Sequence, residues 1–384
     1  MKLHETKDKE QRLALNNWAA NHYCGSIIAG TGFGKSRCGV MAVNHVLNTL
    51  GGTSALVLVP TIQLQDQFKE EFDKWECKDC LDRVEIICYQ SAYKLRSKHY
   101  DIVICDEIHL GLSEKYRKFF KYNTYDKLLC MTATLPEEPR YKVELHKLAP
   151  TIYEISLDEC VEKELVAPYE IYCMPLELTS EERREYKRVN NLFVSHKMAL
   201  DPNAFEFAKT ALRSPNVSYE LKAHAAGFYK TIRERKSIVD KAHNKIEVFK
   251  QLVYDNLDKR IITFGGLNEF TDTLAKSVAP LAEVYHSKIT KKKRVEALRR
   301  FKEGEVNVLC STKALNQGLD IPNANLGIVC GLTSKALSMI QRVGRLIRWE
   351  EGKTGKVYVL YIKDSQEEKW LKNAVWELNG VTWL

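Results

Sequence analysis

The stretch Ala29-Gly30-Thr31-Gly32-Phe33-Gly34-Lys35-Ser36 decides how the rest of the chain is read. It follows a short apolar run, Ser26-Ile27-Ile28, and precedes Val40, Val43 and Leu47, which recur at helical spacing. A strand, a glycine-rich turn and a helix start form the context in which such a string holds phosphate. Glycines let the backbone turn its N–H groups onto an anion, and the helix N-terminus adds partial positive charge. Gly30, Thr31, Gly32 and Gly34 would cradle a nucleotide, Lys35 would meet its β- and γ-phosphates, and the Ser36 hydroxyl would ligate Mg2+. One residue departs from the G-x-x-x-x-G-K-[ST] pattern: Ala29 stands where the first glycine is expected.

Working outward, apolar runs alternate with helix-permissive segments. Ala55–Val59 is continuously apolar, as strands buried on both faces of a parallel sheet are, and a polar helix over 63–75 comes after it. Val84–Cys88 reads as the next strand, with Tyr89-Gln90-Ser91 capping the segment after it. Asp101-Ile102-Val103-Ile104-Cys105 then runs straight into Asp106-Glu107-Ile108-His109. This places paired carboxylates at the C-terminal edge of a strand, where α/β sheets bind ligands. Asp106 is suited to hold Mg2+, and Glu107 to orient and deprotonate an attacking water. An acidic strand-to-loop turn is the bland alternative, common for one carboxylate and less so for two. Lys127–Met131 forms a further strand, ending in Thr132-Ala133-Thr134. Alternation from about 10 to 155 describes a parallel sheet covered by helices. Upstream, Ala14, Leu15 and Trp18 share a helix face beside Gln11, whose amide has the groups to pair with an adenine.

Composition bounds these readings. The 384 residues suffice for two domains, and 45% hydrophobic with 28% charged content is that of a soluble globular chain. No apolar run approaches a membrane span, and Met1–Lys7 lacks the apolar core of a secretory leader. A cytosolic protein is expected, in the host cytoplasm if it is phage-encoded. The net charge of +8 is a modest basic bias compatible with a polyanionic partner. Among eleven cysteines, Cys105, Cys130, Cys310 and Cys330 lie in apolar runs and read as small buried hydrophobes. Cys77 and Cys80, with Cys88 nearby, leave a metal site open, against the simpler reading of two exposed loop thiols.

In the second half, residues 178–258 are helical in texture, with Thr179 or Ser180 placed to cap and Glu182 placed for a capping box. Basic residues and aromatics interleave there, which suits either a surface for phosphates and bases or ordinary amphipathic helices. From 260 the β/α rhythm returns: Arg260–Phe264 leads into Gly265-Gly266, a basic helix covers 290–303, and Val306–Cys310 leads into Ser311–Pro322. If Gln341–Arg348 is helical, Arg345 and Arg348 share a face and can reach one γ-phosphate.

Gly30–Ser36, Asp106–His109 and Thr132–Thr134 resemble motifs I, II and III of the superfamily 2 helicases, with Ser311–Pro322 and Gln341–Arg348 resembling motifs V and VI. The match extends to Ile155-Ser156-Leu157, Val166–Tyr169, Leu178–Glu182 and Tyr186, which look like the XPB/UvsW/type III restriction-like branch. The resemblance makes Ala29 a family trait and Gln11 the adenine-reading glutamine. It implies Gly318, Asp320 and Gln341 at the nucleotide, Arg345 and Arg348 as arginine fingers, and His109, Thr132 and Thr134 as coupling residues. It also implies Pro60, Thr61, Gln90, Ser91, Gly265 and Thr312 on the nucleic-acid backbone. The expected fold is α/β, two RecA-like parallel-sheet domains in tandem over 1–157 and 158–384, with a helical insertion at about 178–258. The expected activity is that of an ATP- and Mg2+-dependent helicase or translocase on DNA, unwinding or remodelling branches in replication, recombination or repair. A duplex translocase or nucleoprotein remodeller without strand separation, and an RNA helicase, are the alternatives. The short flanks suggest a minimal monomeric motor, with substrate choice residing in 178–258 or in a partner protein.

Overall fold

Two parallel sheets grow from the apolar runs, each belonging to its own compact unit. The computed structural model describes residues 2–30, 32–133, 135, 138–165, 169–200, 203–312, 324–333, 355–375 and 378–384. Of these, 2–165 form unit 1, and those from Tyr169 onward form unit 2. No described helix is long and apolar enough to cross a membrane.

Unit 1 contains strands β1 (Cys24–Ala29), β2 (Ala55–Val59), β3 (Val84–Cys88), β4 (His99–Asp106), β5 (Thr124–Thr132) and β6 (Thr151–Ile155). Its helices are α1 (Lys2–Ala20), α2 (Lys35–Asn44), α3 (Ile62–Lys74), α4 (Tyr89–Ala92), α5 (Ile108–Gly111), α6 (Lys118–Tyr122), α7 (Pro139–Leu148) and α8 (Leu157–Glu162). The sheet order is β3-β2-β4-β5-β1-β6, with every pairing parallel. Alternate residues of β4 serve two cores: Ile102 and Ile104 pack with Trp18, Phe68 and Phe72, while Val103 and Cys105 pack with Phe119 and Leu145. Each such buried side chain contributes about 1.5–3 kcal/mol of apolar transfer. The helix expected to be polar, α3, is amphipathic and buries Leu64, Phe68 and Phe72. The boundary expected at 157/158 falls within α8, which belongs to unit 1.

Parallel pairing puts the C-terminal ends of adjacent strands on one edge. In register, Asp106 of β4 lies beside Met131 of β5, and Thr132 lies beside Ile28 of β1. The phosphate-loop entrance, Thr132 and the acids therefore end three neighbouring strands, about 4.8 Å apart each.

Unit 2 contains β7 (Tyr169–Leu176), β8 (Ile261–Phe264), β9 (Ala282–Tyr285), β10 (Val308–Ser311), β11 (Leu326–Val329), β12 (Gly355–Ile362) and β13 (Val381–Trp383). They form a parallel sheet in the order β13-β7-β12-β11-β8-β10-β9. Between β7 and β8 run α9 (Ser180–Ala199), α10 (Ala204–Ala211), α11 (Tyr219–Asp240) and α12 (His243–Tyr254), followed later by α13 (Asn268–Ser277), α14 (Lys291–Glu303) and α15 (Gln366–Val375). Thr179 and Glu182 make the expected capping box at the start of α9. Helices α9–α11 share a small core of their own, with Leu200, Ala208, Ala225 and Phe228 buried together. The four cysteines expected inside from their apolar runs (Cys105, Cys130, Cys310, Cys330) are fully buried, the last just beyond the end of β11.

Candidate nucleotide site

The glycine-rich loop leaves β1 and enters α2 through Gly34, at φ 90° and ψ 40°, with Gly32 also at positive φ. Such angles favour glycine, and at Gly34 a Cβ would also lie 2.3 Å from Gln11 Nε2 and displace that amide from the loop. Phe33 is wholly buried against Tyr153 and anchors the loop. The Lys35 ammonium folds inside the turn, donating to the carbonyls of Ala29 at 2.7 Å and Gly30 at 3.4 Å. Gln11 Nε2 donates to Phe33 O at 2.7 Å, while its Oε1 accepts from Arg37. Arg37 also pairs with Asp8 and lies 4.4 Å from the Trp75 ring centre. This Asp8–Arg37–Gln11 chain, which fixes the amide on the loop, has only a faint sequence signal: Asp8 and Gln11 are three apart on one helix.

At the end of β4, Asp106 and Glu107 are nearly buried. Glu107 adopts φ 49° and ψ 55°, a left-handed conformation unusual for a residue with a side chain and a form of local strain found at functional positions. Its Oε2 accepts the Thr132 hydroxyl at 3.2 Å. His109 Nδ1 sits 3.1 Å from Thr132 Oγ1 and 3.4 Å from Glu107 Oε2. A consistent proton arrangement has His109 Nδ1–H donating to Thr132, which donates to Glu107. Tyr89, expected only to help cap a following segment, begins the short helix α4 and is buried. Its hydroxyl donates to the Asp106 carbonyl at 2.9 Å. Asp106 and the half-buried Ser36 offer hard oxygen ligands of the kind Mg2+ takes, so the residues present fit that ion. Thr31 and Thr134 lie outside the described residues.

The positions expected on nucleic acid fall at the same strand ends. Because β2 and β3 are neighbours, Pro60 and Gln90 meet, with Gln90 Nε2 donating to Pro60 O at 3.2 Å. Thr61 caps α3, its hydroxyl accepting from Leu64 N, and Gln90 and Ser91 are exposed. In unit 2, Gly265 and Thr312 follow the paired strands β8 and β10 and converge on Thr271. A Cβ at 265 would lie 2.4 Å from Thr271 Oγ1, which is 3.2 Å from Thr312 Oγ1. Gly318, Asp320, Gln341, Arg345 and Arg348 lie outside the described residues.

The cysteine expectation needs correction. Cys77 and Cys80, expected as exposed loop thiols, are buried, because the turn that carries them packs against the end of the α2 segment, and Cys88 is buried at the end of β3. Cys77 Sγ donates to Trp75 O and Cys80 Sγ to Asn44 Oδ1, and burial pushes all three thiols up, so they stay protonated. Among the described residues, the group with converging metal-ligand atoms is instead His99, Asp101 and Asp126. There Asp101 is committed to the backbone and hydroxyls of Thr53 and Ser54, which hold its carboxyl down at about 2.

Residues 5–137 match the family model of the type III restriction enzyme res subunit, and residues 244–350 that of the helicase conserved C-terminal domain. The DNA 3'-5' translocase XPB2 of Sulfurisphaera tokodaii is 28% identical over 346 residues, covering 84% of this chain and 74% of that protein. The DEAD-box ATP-dependent RNA helicase CshA of Bacillus subtilis is 32% identical over 131 residues, covering 33% of this chain and 24% of that protein. In fold, the chain is similar to the crystal structure of the Pyrococcus furiosus Hef helicase domain. The TM-score is 0.60 at 16% identity, over 94% of this chain and 97% of that one.

Proposed function

From its membership of the superfamily 2 helicases, in their XPB- and type III restriction-like branch, we propose that this chain is an ATP-driven motor working on DNA. ATP-dependent helicase or translocase activity is the property of the superfamily; DNA as the track is the finer step. It is supported by the extent of likeness to a DNA translocase, 84% of this chain, against 33% for an RNA helicase. The observation that carries the catalytic reading is the shared edge of unit 1, where the loop, Glu107, Thr132 and His109 gather.

In this reading the loop N–H groups and Lys35 hold the β- and γ-phosphates. Lys35 exchanges two carbonyl partners for phosphate oxygens, and such charge-assisted bonds are the stronger ones. Mg2+ held by Ser36 and Asp106 would neutralise charge on the phosphate oxygens. Glu107, steadied by Thr132, orients the attacking water and takes its proton. Gln11 reads the base. His109 and Thr132 link the catalytic acid to the strand ends that carry the nucleic-acid contacts, and Thr134 is assigned the same role. Arg345 and Arg348 are assigned to the γ-phosphate, and Gly318, Asp320 and Gln341 to the nucleotide. Pro60, Thr61, Gln90, Ser91, Gly265 and Thr312 are assigned to phosphates of the track, which implies little sequence preference and steep salt dependence. The chain would act as a cytosolic monomer with a first RecA-like domain for ATP binding and a second RecA-like helicase C-terminal domain.

A second reading, translocation on duplex without strand separation, is favoured by the likeness to a protein named as a DNA translocase. The deciding experiment measures ATPase stimulation by single-stranded DNA, duplex DNA, forks and RNA, alongside strand displacement. Stimulation by DNA above RNA is expected. Stimulation by RNA alone would overturn the DNA assignment, and stimulation by duplex without displacement would select the second reading.

A further inference from the structure

Near the N-terminal ends of β4 and β5, at the edge of the unit 1 sheet away from the phosphate loop, His99, Asp101 and Asp126 converge. Strand alternation builds the group. His99 and Asp101 are two apart on β4, and Thr124 and Asp126 are two apart on β5, so each pair projects from one face of its strand. The strands run parallel with His99 beside Thr124 and Tyr100 beside Tyr125, which brings Asp101 level with Asp126. One ligand atom from each of His99, Asp101 and Asp126 lies within 4.8 Å of the others.

Asp101 and His99 are both held from behind. The backbone and hydroxyls of Thr53 and Ser54, which lead into β2 on the other side of β4, donate to Asp101. All of these bonds end on Oδ2, which leaves Oδ1 for a further partner. His99 Nδ1 lies 3.0 Å from Thr124 Oγ1, and the tautomer that donates there turns the Nε2 lone pair toward Asp126 Oδ1, 3.6 Å away. Outer partners of this kind fix the tautomer and orientation of metal ligands.

The distances separate a hydrogen bond from a shared ion. At 3.6 Å the His99–Asp126 contact is too long for an N–H···O hydrogen bond. Two ligands about 2.0–2.2 Å from one tetrahedral ion stand about 3.3–3.6 Å apart, which matches it. Neither Asp101 nor Asp126 has an arginine or lysine partner among the described residues, and like charges side by side on neighbouring strands repel. His99 and Asp126 carry exposed side chains, so rotation alone closes the remaining gap. We propose that His99 Nε2, Asp101 Oδ1 and an Asp126 oxygen bind a divalent first-row transition ion of the Zn2+ kind, tying the starts of β4 and β5 to the segment entering β2. The imidazole nitrogen selects such an ion over Mg2+ and Ca2+, which take oxygen shells. Three protein ligands leave a fourth position to water. Because the group lies at the other end of the strands from the phosphate loop, it is independent of the motor reading.

The test is isothermal titration of the full chain with ZnCl2, without nucleotide, for wild type, His99→Ala, Asp126→Asn and Thr124→Val. Wild type should take up zinc through this group, and His99→Ala and Asp126→Asn should each weaken uptake by at least about 10-fold. Thr124→Val touches no ion but releases the imidazole, and it should weaken binding by about 10-fold. His146→Ala, which removes an exposed histidine of α7 outside the group, should bind as wild type does. ATPase activity in Mg2+ without zinc should be unaltered throughout, which shows that the variants fold. CaCl2 or MgCl2 in place of ZnCl2 should give no comparable uptake. A wild-type chain that takes up no zinc overturns the site, and so do His99→Ala and Asp126→Asn chains that bind it with wild-type affinity. Equal affinity for Ca2+, lost in the same variants, overturns the transition-ion assignment.

Discussion

In unit 1 the polar groups at the strand ends are joined to one another; in unit 2 they are tied inward. Glu107, Thr132 and His109 form a closed set of contacts of 3.1–3.4 Å along one edge. Unit 2 also gathers charge beneath its sheet edge, but as structure. Lys245 and Glu367 form a fully buried pair at 2.8 Å, and Glu367 accepts as well from the backbone N–H groups of Leu332 and Ile362. Burial pushes the Asp240 and Glu367 carboxyls up, with Lys236 and Lys245 opposing the shift. The same sheet architecture thus serves two ends. One edge keeps its carboxylates beside the phosphate loop, and the other uses them to pin the insertion helices α11 and α12 to the loops after β11 and β12.

The largest effects should come from breaking the first edge. Lys35→Ala should abolish hydrolysis, and normal turnover in that variant would remove the nucleotide site altogether. Glu107→Gln keeps an oxygen to accept from Thr132, so the fold and ATP binding should survive while turnover falls at least about 100-fold. Steady-state ATPase and fluorescent-nucleotide binding separate the two outcomes, and equal turnover with wild type would strip Glu107 of its role.

Breaking the second edge should cost stability rather than chemistry. Lys245→Met leaves Glu367 buried without its partner and should destabilise unit 2 by about 3–5 kcal/mol. Pairing it with Glu367→Leu should restore much of that loss, because two apolar groups need no partners. Urea unfolding followed by tryptophan fluorescence reads both, with nucleotide binding to unit 1 as the internal control. A Lys245→Met chain as stable as wild type would mean that the pair is not what holds the insertion helices.

The two edges also differ in how far they can be read from sequence. In unit 1 the acids, Thr132 and the loop each terminate a continuous apolar run, and parallel pairing then assembles run-ends without further information. That is why Asp106, Glu107 and Lys35 are legible as a set. Tyr89 is not, because its partner is a backbone carbonyl 17 residues away and nothing local marks it. Lys245 and Glu367 are 122 positions apart, and each alone looks like a surface charge on a helix. Cys77 and Cys80 mislead for a related reason: a polar C-x-x-C turn reads as exposed until the helix end that covers it is placed.

A finer cut at unit 1 tests whether the contact set couples or merely packs. Thr132→Val removes the hydroxyl between Glu107 and His109 with little change of shape. A hydrogen bond to a charged group is worth about 1.5–3 kcal/mol, so turnover should fall roughly 10- to 100-fold. If Thr132 couples, DNA-stimulated turnover should fall more than basal turnover. An equal fall in both would make it a positioning residue for Glu107 alone.

The smallest effect is expected in the insertion, where charge is balanced by proximity of like groups. His196 on α9 and His224 on α11 face each other with Nδ1 atoms 3.1 Å apart, so one ring must donate and the other accept. Burial, and then the neighbouring His224, hold His196 below the usual histidine range. The fold therefore favours neutral His196, and its contribution to stability is complete above the unfolded value near pH 6.5. As pH falls through 6.5 toward the lowered value, the unfolded chain takes up the proton first, and stability is lost. Both rings are half-buried and solvent screens the charge, so the midpoint should drop by only about 1–3 °C between pH 7.5 and 5.5. His196→Gln should flatten that part of the response, and an unchanged pH profile would clear the pair. Gly227 sharpens the assignment, since its added Cβ would lie 2.4 Å from His196 Nε2. Gly227→Ala should lower the midpoint at both pH values, although alanine in a helix interior ordinarily gains about 0.8–1 kcal/mol over glycine.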